Sequence, residues 1–287
     1  MNFEETTFYS YWLDEKALAL ALLKTRFPNL ICITRAHGWD VYHERHIENY
    51  LPFRSFILNK VNATFTISNN GKDYASKKYP QFQGKIKVSR LGTLALSSIS
   101  QKKENNFFHF LSISSIIRLK RVGKILEVVS ELSNKKIHWT HIGEGPLMKQ
   151  VQTEAKKREQ ENPNFSFELM GNKINTEVRD FLATNYIDLF INLSETEGIP
   201  VSIMEAQSAG IPVLATNVGG TSEIVNNENG VLVDKDFNQE DVVYIIQKYL
   251  SSTEEEKQLK RKASYKNWKK HYNAETNYKE FVKLLTT

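Results

Sequence analysis

Short apolar runs alternate with amphipathic segments along almost the whole chain, and this alternation predicts the elements of the fold. In the first part, the pattern predicts strands at residues 8–13, 30–36, 63–68 and 86–90, and helices at 14–27, 52–61 and 70–79. Strands that alternate with helices form parallel sheets covered by helices. The first part of the chain is therefore expected to be an α/β domain.

The second part of the chain shows the same alternation with more strands. The pattern predicts strands at residues 107–117, 137–142, 165–170, 187–193, 213–215 and 231–233, with helices between them. Two further helical patterns follow at 254–271 and 275–285, and a polar stretch at 97–106 predicts a linker before the second part. Six strands with intervening helices are expected to form a complete doubly wound domain.

The segment around Glu197 and Glu205 is the strongest candidate for a ligand site. An apolar strand predicted at 187–193 precedes it, a helix predicted at 202–209 follows, and the next strand is at 213–215. In open α/β sheets such a loop lies at the carboxyl edge of the strands, where ligands bind. Glu197 would stand in the loop and Glu205 about one turn inside the helix, whose first backbone N–H groups suit an anion.

Composition excludes several classes of protein. The chain has 287 residues with 40% apolar content, enough for two globular domains, and shows no apolar run of membrane-spanning length and no signal-peptide pattern. Cys32 is the only cysteine, which excludes an internal disulfide and a cysteine-rich metal site. The net charge of +5 with dispersed basic residues suits anionic ligands or an anionic membrane surface, and nucleic acid is not expected as a partner.

Three blocks of sequence follow one another from residue 194. They are Ser194-Glu195-Thr196-Glu197-Gly198-Ile199-Pro200 with Glu205-Ala206, Gly210-Ile211-Pro212-Val213-Leu214-Ala215-Thr216, and Gly219-Gly220 with Ser222-Glu223-Ile224-Val225. In this order they resemble the donor-site signature of family-4 glycosyltransferases, which are retaining enzymes that use nucleotide sugars. The resemblance implies a GT-B fold, with two Rossmann-like doubly wound parallel-sheet domains.

The resemblance covers the second part of the chain fully and the first only in part. It implies a partial, acceptor-side domain at residues 1–96, a linker at 97–106 and a nucleotide-sugar-binding domain at 107–272. Residues 273–287 would form a helix that returns to the first domain. Because only four strands are predicted before the linker, the N-terminal domain is expected to be incomplete.

The resemblance also assigns roles to residues of the second part. Glu205 would accept hydrogen bonds from the ribose diol of the nucleotide, and Glu197 would act as a catalytic residue beside the transferred sugar. The sugar hydroxyls and the diphosphate would be bound by the backbone of Gly198, Ile199, Pro200, Val201 and Ser202. Gly143 would lie near the nucleotide, and the backbone at Gly171 and Asn172 would contact the base.

Two alignments of the diphosphate-binding residues are open. The alignment that needs no gap makes Lys120 the phosphate lysine and puts Ser115 where the family has an arginine. The other alignment uses Arg118 and Lys124. We prefer Lys120, and the missing arginine implies weaker binding of the diphosphate unless Arg118 or Arg121 contributes.

His37 follows the predicted strand at 30–36, at a position where the resembled family carries a histidine near the donor sugar. It would act as a second catalytic residue by binding a sugar hydroxyl and helping to order the acceptor, although a structural histidine is the alternative. The nearby His43, His46 and Asp40 match no standard metal spacing. The resemblance implies no metal and no cofactor, with a nucleoside diphosphate sugar as co-substrate.

The resemblance therefore implies a metal-independent, retaining hexosyltransferase that acts on a glycan or lipid-linked acceptor, and the composition makes a cytoplasmic location the default expectation. The expected setting is surface polysaccharide or lipopolysaccharide biosynthesis. The alternative is a truncated, non-catalytic remnant that only binds nucleotide sugar. The lysine-rich helix predicted at 254–271 would be either a solvated face or a peripheral contact with the inner face of the plasma membrane. The sugar, the base and the acceptor are left open.

Overall fold

The computed structural model describes residues 6–102 and 107–286. Over these residues the chain divides into two compact units. Unit 1 contains residues 6–92, 197–199 and 274–286, and unit 2 contains 93–102, 107–196 and 200–273. Part of the segment predicted as a linker, 97–102, groups with unit 2, where the Ser98 hydroxyl donates to the Ala183 carbonyl at 3.2 Å. The rest of that segment, 103–106, lies outside the described residues.

The described residues contain ten strands in two sheets. The strands are β1 (Thr7–Ser10), β2 (Ile31–Ala36), β3 (Ala63–Thr66), β4 (Ile86–Val88), β5 (Phe108–Ile113), β6 (Ile137–Ile142), β7 (Phe165–Leu169), β8 (Leu189–Asn192), β9 (Val213–Thr216) and β10 (Gly230–Val233). All strand pairs within these sheets are parallel. The parallel α/β architecture predicted from the sequence is therefore confirmed.

Eleven α-helices lie in the described part of the chain. They are α1 (Glu15–Arg26), α2 (Gly38–Val41), α3 (Arg54–Lys60), α4 (Asn69–Lys78), α5 (Val122–Ser130), α6 (Met148–Glu161), α7 (Asn175–Thr184), α8 (Val201–Ser208), α9 (Gln239–Ser251), α10 (Glu254–His271) and α11 (Ala274–Thr286). Among these described helices, none combines the length and the apolar character needed to cross a bilayer.

The two sheets differ in strand order. The sheet of unit 1 runs β1-β2-β3-β4, so its described strands follow one another in a single direction. The sheet of unit 2 runs β10-β9-β8-β5-β6-β7, which reverses direction between β5 and β8. Such a reversal defines a doubly wound sheet and creates a switch point for ligands at the carboxyl ends of the strands. Over the described residues, double winding is a property of unit 2.

Two of the predicted strand ranges are longer than the strands in the structure. The strand predicted at 8–13 ends at Ser10, whose hydroxyl donates to the Trp12 carbonyl at 2.6 Å and so holds the chain in a turn before α1. The strand predicted at 107–117 ends at Ile113. Ile116 is fully buried, but its N–H donates to the Glu144 carbonyl of a loop and not to a neighbouring strand. The apolar character of residues 114–117 thus reflects burial under a loop.

Helices cover both faces of the sheet in unit 1. Side chains alternate between the faces of a strand, so Cys32 and Ile33 of β2 point in opposite directions. Cys32 packs in the cluster that contains Ala17 of α1 and Ile57 of α3. Ile33 packs against Phe281 of α11, in a second cluster. The last helix therefore belongs to the core of unit 1.

Candidate functional site

At the switch point of unit 2, Glu195 in the loop after β8 contacts the loop after β5. The backbone N–H of Glu195 donates to the Leu119 carbonyl at 2.8 Å, and its carboxylate pairs with Arg121 at 3.1 Å. Leu119 and Arg121 lie in the loop after β5. Because β5 and β8 are the strands between which the order reverses, these contacts fix the two loops that border the ligand crevice of a doubly wound sheet.

The basic residues after β5 differ in what they contact. Lys124 pairs with Glu127 of its own helix at 2.7 Å. Arg121, which has a positive φ of 49°, donates to the Lys235 carbonyl at 2.7 Å in addition to its pair with Glu195. Arg121 therefore connects its own loop to the loops that follow β8 and β10. The 3-10 turn Arg118–Lys120 carries the other two basic residues, so Lys120 lies in the loop at the switch point.

Glu205 is the fifth residue of α8 and is only 6% exposed. The Asn175 amide, at the start of α7, donates to its carboxylate at 2.7 Å. Burial raises the pKa of Glu205 to about 7, and the Asn175 hydrogen bond and the charge of Arg179 only partly oppose this shift. A carboxylate has about four lone-pair positions, so this one retains capacity to accept hydrogen bonds from the hydroxyls of a ligand.

Two glycines connect the loops after β6 and β7. The Gly143 N–H donates to the Gly171 carbonyl at 2.8 Å, and both residues have positive φ, 136° and 68°. A Cβ atom on Gly143 would lie 2.0 Å from the Ser114 carbonyl oxygen, so this turn has no room for a side chain. Unit 2 thus brings Gly143, Gly171 and the exposed Asn172 to the same edge of the sheet as Glu205.

His37 follows β2 in unit 1 and is 7% exposed. Burial, with a smaller effect of the Arg35 charge, lowers the pKa of His37 to about 4, so the imidazole is neutral at physiological pH. Among the described residues, neither ring nitrogen has a hydrogen-bond partner. The Tyr11 and Trp12 rings lie 4.7 and 4.2 Å from the imidazole, centroid to centroid. A neutral imidazole held this way offers one donor and one acceptor.

Glu197, Gly198 and Ile199 group with unit 1. Glu197 and Ile199 are buried. Gly198 lies against Gly38, on which a Cβ atom would come within 3.1 Å of the Gly198 Cα, so the two backbones approach closely. The remaining predicted residues, Pro200, Val201 and Ser202, belong to unit 2, where Pro200 precedes the first turn of α8.

Several residues that hold these side chains in place carry no signal in the sequence. Asp40, considered only as a metal ligand, accepts hydrogen bonds from the backbone N–H of Leu13 at 2.7 Å and from that of His37. Burial raises the pKa of Asp40 to about 6. His43 contacts the Asn49 carbonyl and the Tyr79 hydroxyl through its ring nitrogens. In the part of the chain that the structure describes, no cluster of three or more potential ligands could hold a metal ion.

Residues 97–266 match the family described as Glycosyl transferases group 1. The chain belongs to this family. Its two parallel α/β sheets match solved GT-B glycosyltransferases.

Individual relatives are distant. The O-antigen biosynthesis glycosyltransferase WbnH of Escherichia coli is 25% identical over 240 residues, which cover 82% of this chain and 65% of WbnH. The solved structure of Anabaena Alr3699/HepE with UDP and glucose has a TM-score of 0.78 at 14% identity, over 98% of this chain and 77% of that one. Pneumococcal O-GlcNAc transferase GtfA, solved with UDP and GlcNAc, has a TM-score of 0.70 at 14% identity, over 92% and 54%. At these identities the two structures support the fold alone.

Proposed function

We propose that this group 1 glycosyltransferase transfers a hexose-type sugar from a UDP-sugar to a hydroxyl group of a glycan or lipid-linked acceptor, with retention at the anomeric carbon. The observation that carries the proposal is Glu205, a buried carboxylate beside the switch point that retains acceptor capacity. UDP is the nucleotide bound in two solved neighbours of the same fold, HepE and GtfA, and the proposal adopts it for this chain.

Glu205 binds the ribose in this proposal. The two neighbouring hydroxyls of a ribose match the two oxygens of one carboxylate, and hydrogen bonds to an ionised acceptor are the stronger kind. The Asn175 amide already fixes the orientation of the carboxylate. The Gly143 and Gly171 turns allow the backbone to approach the nucleotide closely, since neither residue carries a side chain.

The diphosphate is bound by cations and backbone amides. Lys120 and Arg118, on the turn after β5, supply positive charge. Val201 and Ser202 begin α8, where N–H groups have no carbonyl partner within the helix and where the helix dipole favours an anion. As the bond to the sugar breaks, negative charge grows on the departing diphosphate, and these groups stabilise it without a metal ion.

Transfer follows a same-face substitution. The bond between the anomeric carbon and the diphosphate oxygen breaks, the acceptor oxygen bonds to that carbon on the same face, and the acceptor proton passes to the departing diphosphate. Glu197 binds the transferred sugar and stabilises the positive charge that develops on its ring. The neutral His37 imidazole binds a sugar hydroxyl. The family resemblance supports this assignment, as does the burial of both side chains.

The proposed setting is surface polysaccharide synthesis at the cytoplasmic face of a membrane. WbnH acts in O-antigen biosynthesis by its name. The exposed side chains of Lys262, Lys266, Lys269 and Lys270 lie on α10 at helical spacing and share one face, which suits an anionic lipid surface.

The protein is expected to cosediment with phosphatidylglycerol vesicles, and this cosedimentation should be lost when Lys266 and Lys269 are both replaced by glutamine. Equal sedimentation with neutral vesicles would contradict the proposed membrane contact.

The affinity for UDP-glucose is expected to fall as the pH falls below about 7. The ribose diol donates to the ionised carboxylate, whereas free Glu205 has a pKa of about 7, so at lower pH binding must first remove a proton. The dissociation constant should rise by up to about tenfold per pH unit below that value and stay level above about pH 8. Calorimetry across this range measures it, with Glu205→Gln as the non-titrating control. Equal affinity at pH 6 and pH 8, or the same dependence in Glu205→Gln, would contradict the assignment.

Substitution of Lys120 and of Glu197 should separate binding from turnover. Lys120→Ala removes a charge-assisted contact and should weaken UDP binding by about ten- to a hundredfold. Glu197→Gln should reduce the release of UDP from UDP-glucose or UDP-GlcNAc while UDP affinity stays unchanged. Lys124→Ala is the matched control, because that lysine pairs with Glu127 on the surface.

The same assays decide between the two sequence-based alternatives. Unchanged turnover in both Lys120→Ala and Glu197→Gln would rule out the proposed mechanism. UDP binding by the unmodified chain, without any turnover across a panel of UDP-sugars and acceptors, would favour the non-catalytic, nucleotide-sugar-binding remnant.

A further inference from the structure

Two aromatic side chains stand exposed at the carboxyl end of β1. Tyr11 is 45% exposed and Trp12 is 37% exposed. Their rings lie 5.9 Å apart at an interplanar angle of 82°, which makes a right-angled corner. The His37 imidazole packs against both rings, so a buried polar group lies beside two partly exposed aromatic side chains.

Hydrogen bonds fix the backbone at Trp12 and Leu13, next to the two exposed rings. The Trp12 carbonyl accepts hydrogen bonds from the hydroxyls of Ser10 at 2.6 Å and Thr34 at 3.1 Å. The next N–H, that of Leu13, donates to the Asp40 carboxylate at 2.7 Å, and the same carboxylate accepts from the His37 N–H. Asp40 thus joins the loop after β1 to the loop after β2. The backbone that carries the exposed rings is therefore preorganised, which is a property of binding sites.

The buried imidazole supplies the polar part of the corner. Neither ring nitrogen of His37 has a partner among the described residues, and a buried polar atom without a partner is costly to a fold. Burial keeps the ring neutral, so it offers one N–H donor and one nitrogen acceptor. The neighbouring cation, Arg35, is itself buried, and its guanidinium is stacked 4.2 Å from the Phe281 ring centroid. The corner therefore suits a neutral polar ligand better than a phosphate.

A pyranose ring has the matching chemistry, because its C–H groups form an apolar face and its hydroxyls form a polar rim. The C–H face can lie on an aromatic ring while a hydroxyl on the rim donates to or accepts from the imidazole. We propose that Tyr11 and Trp12 form a stacking site for a pyranose of the acceptor, with Asp40 as a positioning residue. The inference rests on the proposed function and adds that the acceptor presents a sugar at its reacting end.

The direct test observes Trp12 itself. The chain has four tryptophans, so an amide-correlation NMR spectrum shows up to four indole N–H signals, and the one absent in Trp12→Phe belongs to Trp12. The probes are methyl α-glucopyranoside, methyl β-galactopyranoside and methyl β-N-acetylglucosaminide, with glycerol 3-phosphate as the non-sugar comparison. We expect at least one glycoside to shift the Trp12 signal and glycerol 3-phosphate to leave it unchanged. The absence of a shift with every glycoside, or a shift with glycerol 3-phosphate alone, would overturn the inference.

Affinity measurements complete the test. Trp12→Ala and Tyr11→Ala should each weaken binding of the active glycoside by about tenfold, while Trp12→Phe keeps most of it. Tyr244→Ala is the matched control, because that tyrosine is 66% exposed on α9 of unit 2. Unchanged glycoside affinity in Trp12→Ala would overturn the inference. UDP affinity, measured by calorimetry, should be the same in all four variants. If the unmodified chain itself does not bind UDP, the proposed function fails, and this outcome is distinct from a failure of the stacking site.

Discussion

The arrangement of unit 2 depends on one constraint, the reversal of strand order between β5 and β8. Because crossovers between parallel strands are right-handed, a reversal sends the chain to opposite faces of the sheet, and the loops after the two strands separate. Glu195 joins these loops through its backbone to Leu119 and through its carboxylate to Arg121. The position of Lys120 and the start of α8 follow from this arrangement.

The same region contains a buried carboxylate whose environment disfavours its charge. Burying a carboxylate without a close cation is unfavourable, and the rise in the Glu205 pKa to about 7 expresses that cost. Asn175 compensates for only part of it. A group with this environment is typical of a functional site, since a ligand that donates hydrogen bonds restores what burial removed. Unit 1 shows a parallel case in His37, which is buried and neutral.

Much of the fold could be predicted from the sequence, because hydrophobic periodicity is a local property. The predicted bounds of α10 and β6 match the structure, and α10 begins with a capping box at Thr253 and Glu256 that is visible in the sequence. The strand predicted at 107–117 is longer than β5, which ends at Ile113. Apolar residues such as Ile116 are buried here by a loop, and the sequence does not distinguish such residues from those of a buried strand.

The supporting residues of the candidate site could not be predicted, because they act between segments that are distant in the sequence. Asn175 hydrogen-bonds to Glu205, which is thirty residues away in the sequence, and Asp40 hydrogen-bonds to Leu13, which is twenty-seven residues away. Nor does a sequence show that Tyr11 and Trp12 stay exposed, since an aromatic pair after a strand is equally compatible with the core. The family motif directed attention to Glu205 itself, while only the fold reveals which groups orient it.

The most direct test of the central claim compares UDP with 2′,3′-dideoxy-UDP in the unmodified protein and in Glu205→Gln, by calorimetry at about pH 8. The account predicts that loss of the two ribose hydroxyls weakens binding to the unmodified protein by about tenfold or more and weakens binding to the variant much less. Equal loss in both proteins would show that Glu205 does not contact the ribose and would contradict the account.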